Sequence, residues 1–292
     1  MTVARIACSL ELLSICLCAM MAQPALAGPI VGVTFAHGFY SIDPLTGNAT
    51  QLLAGCTPGC GPYLGASGSP YAGTIFDSSI VNLHETNVTT FQDTPLGGIF
   101  HPFDLAFDRG TNTLFDTSGS ALFTVQCPSP PGLCTETQVG PAFPTSHMQA
   151  LGFVPGAGIY GVSDNFLYLI NDSTGAITAV GATGLSDPTK GITDLAYDSG
   201  TGRLIASAGC SKFDPFTLFS GPCDESHLGS IYLIDRSTGH ATLLNGNAPM
   251  IVGLAEVVPE PSSALLFALG LGALLARGLR RARTISSPGS FG

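Results

Sequence analysis

The chain has 292 residues, with 20 acidic and 10 basic side chains and a formal net charge of −10 at pH 7. An excess of negative charge on this scale repels nucleic acid and anionic lipid, so we expect no nucleic-acid partner. Lysine is scarce, whereas glycine, serine, threonine and asparagine are abundant, and this composition favours strands and turns over helices.

The N-terminus predicts export. Arg5 precedes an apolar run over residues 6–21, and Ala25-Leu26-Ala27 supplies the small-x-small pattern of a signal-peptide cleavage site. We therefore assign residues 1–27 to a signal peptide and residues 28–257 to an ectodomain outside the cytoplasmic membrane. An uncleaved membrane anchor is the alternative for the first segment.

One β-hairpin motif recurs along the ectodomain. Apolar residues alternate into an Asp/Asn-x-x-Thr-Gly turn and out again in residues 39–53, 167–181 and 231–245. Period-two alternation on both arms is typical of strands, and the glycine stands where a tight turn needs a positive φ. A degenerate copy joins residues 122–125 to residues 135–140.

A second hairpin motif covers residues 104–115, 150–160 and 194–205. Its first strand is apolar and small, reading Leu-Ala-Phe, Leu-Gly-Phe and Leu-Ala-Tyr in the three copies, as crowding near a common axis requires. Two hairpins in tandem form a four-stranded sheet, and radial repetition of such sheets gives a β-propeller. The predicted fold class is therefore all-β.

The repeats predict about five blades, with four or six left open. Three blades are expected over residues 103–140, 150–181 and 193–245. A weaker one is expected over residues 63–91, with strands at 74–76, 80–83 and 88–91. The hairpin at residues 31–53 lacks an inner strand, which residues 252–256 can supply. An irregular β-solenoid or a β-sandwich is the alternative architecture.

The ectodomain resembles propeller-like repeat proteins of bacterial surfaces, which share an Ile-Asp-x-x-Thr-Gly hairpin. The motif is present here as Ile42-Asp43 with Thr46-Gly47, and as Ile234-Asp235 with Thr238-Gly239. The resemblance implies the fold, and it does not name a ligand because propellers host many functions.

Six ectodomain cysteines form three local pairs around loops that contain proline or glycine. The pairs are Cys56 with Cys60, Cys127 with Cys134, and Cys210 with Cys223. An even cysteine count in an exported chain is typical of disulfides, so we expect three local bridges among 15 connectivities. A zinc site is the alternative, but paired Cys-x-x-Cys spacing is missing.

Aspartates recur where the hairpin turns begin, and we interpret them as turn caps. They are Asp43, Asp108, Asp172, Asp198 and Asp235. The sequence contains no EF-hand calcium loop, phosphate loop, dinucleotide fingerprint or nucleophile elbow. We expect no cofactor and no metal centre, while weak calcium binding at an acidic rim stays open.

One ligand-site hypothesis concerns the mouth of the propeller channel. His101 lies three residues before Asp104, and His147 lies three residues before Ala150, so the inner-strand alignment places both histidines at one height. Together with Asp104 and Asp194 they could hold a ligand or a metal ion. The alternative is two polar loop histidines without such a role.

The C-terminus combines three unlike elements. Val258-Pro259-Glu260-Pro261-Ser262 is followed by an apolar run over residues 264–276, and then by four arginines within seven residues. These are Arg277, Arg280, Arg281 and Arg283. The prolines keep the motif extended, the apolar run suits a bilayer, and the arginines hold one end in the cytoplasm. Residues 284–292 form a polar tail.

This order resembles the PEP-CTERM sorting signal of exported bacterial proteins. The resemblance covers residues 258–283 and implies an exosortase-type membrane protease as partner and a membrane contact through the C-terminal helix. A plain membrane anchor and a core helix are the alternatives.

Two classes of function follow for an exported protein of this kind. The first is a non-enzymatic surface or biofilm-matrix protein that binds exopolysaccharide or another surface protein. The second is a propeller-type hydrolase or lyase acting on extracellular polysaccharide. The sequence contains no tryptophan, which weakens any sugar-stacking platform, although its seven tyrosines could substitute.

Overall fold

The computed structural model describes residues 28–55, 63–79, 82–99, 103–127, 132–145, 148–185, 190–210 and 229–258. Over these ranges the chain forms 21 β-strands in five sheets. No helix among the same residues is long and apolar enough to cross a membrane. The expected signal peptide and the expected C-terminal membrane helix lie outside the described ranges.

Four of the five sheets follow one another along the chain. Blade 1 contains β4 (Tyr63–Gly68), β5 (Thr74–Ser79), β6 (Asn82–Asn87) and β7 (Asp93–Gly98), with the short β11 (Gly132–Leu133) parallel to β7. Blade 2 contains β8 (Asp104–Asp108), β9 (Thr113–Thr117), β10 (Leu122–Gln126) and β12 (Thr135–Val139). Blade 3 contains β13 (Ala150–Val154), β14 (Gly158–Ser163), β15 (Phe166–Ile170) and β16 (Ile177–Ala182). Blade 4 contains β17 (Lys190–Asp198), β18 (Arg203–Cys210), β19 (Gly229–Ile234) and β20 (Ala241–Ala248).

Blade 5 combines the two ends of the described chain. It contains β21 (Ile251–Glu256), β1 (Ile30–Thr34), β2 (Phe39–Ile42) and β3 (Ala49–Leu53) in that order. β1 and β21 are antiparallel, with Ile30 opposite Glu256 and Val31 opposite Ala255. This pairing confirms that the two chain ends complete one blade, and it closes the ring without an open inner edge.

The first strands of the five sheets surround a common axis. They contact one another in the circular order β21, β4, β8, β13, β17 and back to β21. The chain is therefore an all-β propeller, and the blade count is five, within the range of four to six that the repeats left open.

The repeated turns form as the sequence predicts. The Asp43 carboxylate accepts hydrogen bonds from the Leu45 N–H group and the Thr46 hydroxyl, and Asp235 caps its own turn in the same way. The glycines that end these turns have positive φ, at 71° for Gly47 and 81° for Gly239. In blade 3 the capping residue is Asn171, one position before the aspartate at 172 to which we assigned this role.

Blade 1 differs from its predicted strand pattern. Residues 88–91 were expected to form a strand, but they form a turn that precedes β7. The Asn87 side chain accepts hydrogen bonds from the N–H groups of Thr89 and Thr90, and Phe91 has a φ of 55°. Local side-chain capping therefore overrides the strand preference of Val88 and its neighbours.

The core lies in the seams between neighbouring blades. The seam between blades 1 and 5 contains Val31, Phe39, Tyr63 and Ile75, all of them buried. Alternate residues of a strand face opposite seams, because successive side chains point to opposite sides of a sheet. Ile75, for example, faces blade 5, whereas Phe76 packs against Phe107 of blade 2.

One of the three expected disulfides lies among the described residues. Cys127 and Cys134 are bonded and tie the end of β10 to the start of β12. Residues 56, 60 and 223 lie outside the described ranges, so the two remaining bridges stay predictions.

Candidate functional site

Two buried carboxyl groups stand at the axis of the ring. Asp104 begins β8 and Asp194 lies in β17, and neither residue is exposed to solvent. Each carboxyl group lies close enough to the other to affect its pKa. We call them the axial carboxylate pair.

The axial carboxylate pair accepts a main-chain hydrogen bond from every inner strand. Asp104 accepts two of these bonds and Asp194 accepts three. The donors are the N–H groups of Ala66, Leu105, Leu151, Leu195 and Leu254. The inner edge of an innermost strand has no further strand to pair with, and a buried N–H group without an acceptor is costly. The pair therefore satisfies the backbone at the centre of the fold.

Burial raises the pKa of Asp104 and of Asp194 well above the ordinary range, because desolvation penalises the charged form. The charge of Asp194 raises the pKa of Asp104 further. Hydrogen bonds from the backbone N–H groups oppose this shift without cancelling it. The pair consequently retains a proton at a pH where an exposed aspartate is fully ionised.

The structure brings together half of the predicted channel-mouth site. Asp104 and Asp194 meet at the axis, and their oxygens are engaged by the backbone. Positions 101 and 147, where the two histidines stand, fall in gaps of the described chain. A ligand site that uses all four residues remains a prediction.

A cavity of about 460 Å³ opens where the inner strands end. We call it the axial pocket. Its wall includes the aromatic rings of Phe107, Phe153 and Tyr197, each two residues beyond a leucine of the axial layer. At the equivalent positions β4 has Gly68 and β21 has Glu256, which also line the cavity.

An ion pair spans one side of the axial pocket. Arg109 Nη1 lies 2.7 Å from Glu256 Oε2, and Nη2 lies 2.6 Å from the Glu256 carbonyl oxygen. The other carboxylate oxygen of Glu256 accepts the N–H group of Ser199 at 2.7 Å. A Cβ atom at Gly68 would lie 2.8 Å from Arg109 Nη2, so glycine lets the guanidinium cross blade 1. Glu256 thus connects blades 2, 4 and 5.

The sequence prediction did not include the axial pocket, although one signal for it was present. The aromatic residue that ends each Leu-Ala-Phe repeat was interpreted as packing at a crowded axis, whereas Phe153 and Tyr197 are only half-buried. Arg109 also stands where the equivalent turn of blade 4 has Ser199. The partnership of Arg109 with a residue 147 positions away left no local pattern to detect.

A separate group of titratable side chains lies in the seam between blades 1 and 5. Asp77, His84 and Asp93 each place one ligand atom within 4.8 Å of the others. We call these three residues the seam cluster. Residues that could hold a metal ion are therefore present in blade 1, away from the axial pocket.

A segment with a recognisable sequence motif follows the C-terminal strand directly. β21 ends at Glu256, and residues 257–282 match the family model of the PEP-CTERM protein-sorting motif. The chain carries a PEP-CTERM sorting motif. The match starts one residue before the predicted boundary at 258 and includes the sequence Pro259-Glu260-Pro261. A PEP-CTERM motif implies an exported, membrane-associated protein that an exosortase processes.

Solved structures with low sequence identity show similar arrangements. A chain of a nidogen/laminin complex is 10% identical, with 80% of this chain and 99% of that chain covered and a TM-score of 0.49. A structural genomics protein of unknown function from Bacteroides thetaiotaomicron is 16% identical, with 60% and 52% covered and a TM-score of 0.41. An auxiliary nutrient binding protein from the same organism is 12% identical, with 60% and 55% covered and a TM-score of 0.36. Similarity at this level carries no information about function. No curated protein matches the chain.

Proposed function

We propose that this protein is a non-enzymatic binding protein of the cell surface or extracellular matrix. Its PEP-CTERM motif delivers it to an exosortase-type membrane protease, and its propeller binds a neutral extracellular polysaccharide in the axial pocket.

The aromatic wall of the axial pocket carries this proposal. Sugar rings present C–H faces that stack on aromatic side chains, and Phe153 and Tyr197 offer half-buried rings at the ends of neighbouring inner strands. Asn171 and Asp172 add polar groups beside them, which suits the hydroxyl groups at the edge of a sugar. An apolar wall with a few convergent polar groups is typical of small-ligand sites.

Charge supports a neutral saccharide over an acidic one. The ectodomain is acidic, with only five basic residues between positions 28 and 258. Arg109, the basic residue in the wall of the pocket, is already paired with Glu256. An anionic polysaccharide would meet a largely acidic surface, because Arg109 is already paired and Arg236 lies over the Tyr197 ring at 5.4 Å.

The carboxylates of the pocket favour binding over hydrolysis. Glu256 is held by Arg109 and by the Ser199 N–H group, and Asp108 accepts hydrogen bonds from Gly110 and Thr111 within its own turn. A general acid needs a carboxyl group that keeps its proton near neutral pH. Both carboxylates are instead engaged by donors of the protein itself.

The test is to incubate the full-length chain with a panel of neutral and acidic exopolysaccharides. Two quantities are measured for each polymer: its binding to the protein and the release of oligosaccharides from it. We expect the protein to bind a neutral polymer without cleaving it. The Tyr197→Ala variant is expected to bind that polymer at least about tenfold more weakly. Phe166→Ala is the matched control, because Phe166 is 45% exposed and lies outside the pocket. Released oligosaccharides would show a hydrolase or lyase instead, and retention of a surface protein alone would replace the saccharide as ligand.

Sorting is tested separately by Glu260→Ala in the native host. We expect uncut precursor to accumulate in the membrane, because the Pro-Glu-Pro sequence is the part of the motif that we propose the protease recognises. An unchanged released fraction would contradict exosortase recognition of this motif. Asp235→Asn, in an exposed turn of the propeller, controls for general effects of lost charge.

A further inference from the structure

The seam cluster joins residues from three strands of blade 1. Asp77 of β5 stands opposite His84 of β6 in the ladder, and Asp93 begins β7. His84 Nδ1 lies 3.0 Å from Asp93 Oδ1. These side chains face blade 5, because Asp77 shares a face of β5 with Ile75 of that seam.

Both ring nitrogens of His84 face oxygen atoms. Nδ1 faces Asp93 Oδ1, and Nε2 lies 3.4 Å from the Ser79 hydroxyl, which itself donates to the Asn82 carbonyl oxygen. If Nε2 donates to Ser79, either a proton or a metal ion must stand between Nδ1 and the Asp93 carboxylate. A histidine that binds a metal through one nitrogen and donates from the other shows this pattern.

Asp77 is the feature that a simple ion pair does not explain. The residue is fully buried, and neither carboxylate oxygen has a hydrogen-bond partner among the described residues. The His37 side chain, in the turn between β1 and β2, lies near this carboxylate, with Nε2 3.8 Å from Asp77 Oδ2. A buried carboxyl group without donors is costly unless it is protonated, paired or coordinated to a metal ion, and Asp77 has two further ligand residues beside it.

We propose that the seam cluster binds a divalent transition-metal ion of the zinc type, with Asp77, His84 and Asp93 as ligands and His37 as the fourth. Zinc bonds of about 2.0–2.2 Å to nitrogen and oxygen place tetrahedral ligand atoms roughly 3.3–3.5 Å apart. The 3.0 Å and 3.8 Å separations bracket that value. This site is distinct from the axial pocket and from the channel-mouth hypothesis.

The donor set distinguishes zinc from calcium. Calcium prefers six to eight oxygen ligands, whereas imidazole nitrogen suits zinc and related transition metals. His37 also stacks on Tyr63 of β4, with ring centroids 3.8 Å apart. Because His37 belongs to blade 5, a bound ion would hold the ring-closing blade to blade 1.

The experiment uses the full-length chain, purified in detergent without reductant and stripped with a chelator. Titration calorimetry with zinc chloride is expected to show one ion per chain, and Asp77→Asn and His84→Ala are each expected to weaken binding by at least about tenfold. Asp164→Asn and His240→Ala are matched controls, since both residues are exposed and lie outside the cluster. These two should bind like the wild type.

Three results would overturn the proposal: no zinc uptake, equal affinity in the Asp77→Asn variant, or binding of calcium in preference to zinc. Cobalt substitution separates this site from the cysteines, because a thiolate-to-cobalt charge-transfer band would assign the metal to sulfur and also contradict the proposal. Should His84→Ala fail to fold, the nearly isosteric Asp77→Asn variant decides. Its circular dichroism in chelator is expected to match the wild type.

Discussion

The axial carboxylate pair and the seam cluster both contain buried aspartates, but the two sites differ in the hydrogen-bond donors around these carboxyl groups. At the axis, Asp104 and Asp194 together accept a hydrogen bond from each of the five inner strands. In the seam, Asp77 is equally buried and has no donor among the described residues. The first arrangement is complete without a ligand, whereas the second is completed by a cation. Burial alone therefore does not separate a structural carboxylate from a binding one, whereas the hydrogen-bond donors and the neighbouring ligand atoms together do.

The largest effect is expected from Asp194→Ala. The substitution leaves the N–H groups of Ala66, Leu195 and Leu254 without an acceptor, and each buried donor without a partner costs about 1–3 kcal/mol. We expect the free energy of unfolding to fall by at least about 3 kcal/mol, measured by urea unfolding followed by circular dichroism. Asp172→Ala, in a turn at the pocket rim, is the control. A loss as small as that of the control would contradict the structural role of the pair.

The next effect is a dependence of stability on pH. Burial, followed by the nearby charge of Glu136, raises the pKa of Asp116 in β9 to about 9. The native carboxyl group keeps a proton that the unfolded chain releases above 3.8, so stability is greatest at low pH and falls as pH rises towards 9. Each group that keeps such a proton in the native state lowers the free energy of unfolding by up to about 1.4 kcal/mol for each pH unit of increase.

Unfolding free energies at pH 5 and pH 8 measure this slope. We expect Asp116→Asn to flatten it, leaving the part that Asp104 and Asp194 contribute in the same direction, because burial raises their pKa as well. Stability that rises between the two pH values would mean that these groups are ionised in the native protein.

A smaller effect is expected from Arg109→Met, which removes the bridge between blades 2 and 5. The Arg109 side chain is 36% exposed, and partly exposed ion pairs contribute about 1 kcal/mol or less. We therefore expect a loss of about 1 kcal/mol in the free energy of unfolding and a larger relative change in polysaccharide retention. A loss comparable to that of Asp194→Ala would show that the pocket rim supports the ring as strongly as the axis does.

The smallest change in the free energy of unfolding is expected from Asp77→Asn in the presence of chelator. This result would contrast most clearly with that of Asp194→Ala. The substitution replaces a buried carboxyl group that lacks hydrogen-bond donors, so the metal-free chain should keep its stability or gain up to about 1 kcal/mol. With zinc present, the wild type should be stabilised and the variant should not. Thermal midpoints with and without zinc measure both. If the metal-free variant loses as much stability as Asp194→Ala, the distinction between the two sites fails.

The blades could be predicted from the sequence because each hairpin has a local sequence signature. The Asp43 and Asp235 turns, with glycines at positive φ, specify strand ends locally, and their repetition specifies the ring. Blade 1 was less regular, and the Asn87 cap replaced an expected strand by a turn.

The sites were harder to predict because closure of the ring creates them. Arg109 meets Glu256 only once blades 2 and 5 flank blade 1, and His37 approaches Asp77 only across a seam. Asp104 and Asp194 were predicted to be near each other, since they begin the same repeat in different blades. Their hydrogen bonds to the backbone depend on five strands meeting at one axis, which no single repeat encodes.

The pairing of β1 with β21 also has a consequence during synthesis. β1 is made first, but its partner at residues 251–256 is made more than 200 residues later, immediately before the sorting motif at 257–282. A chain that ends early lacks β21, the inner strand of blade 5, together with the whole sorting motif, so its ring is not closed and it has no sorting signal. Because β21 and the sorting motif are both synthesised last, only a full-length polypeptide has a closed ring and a sorting signal.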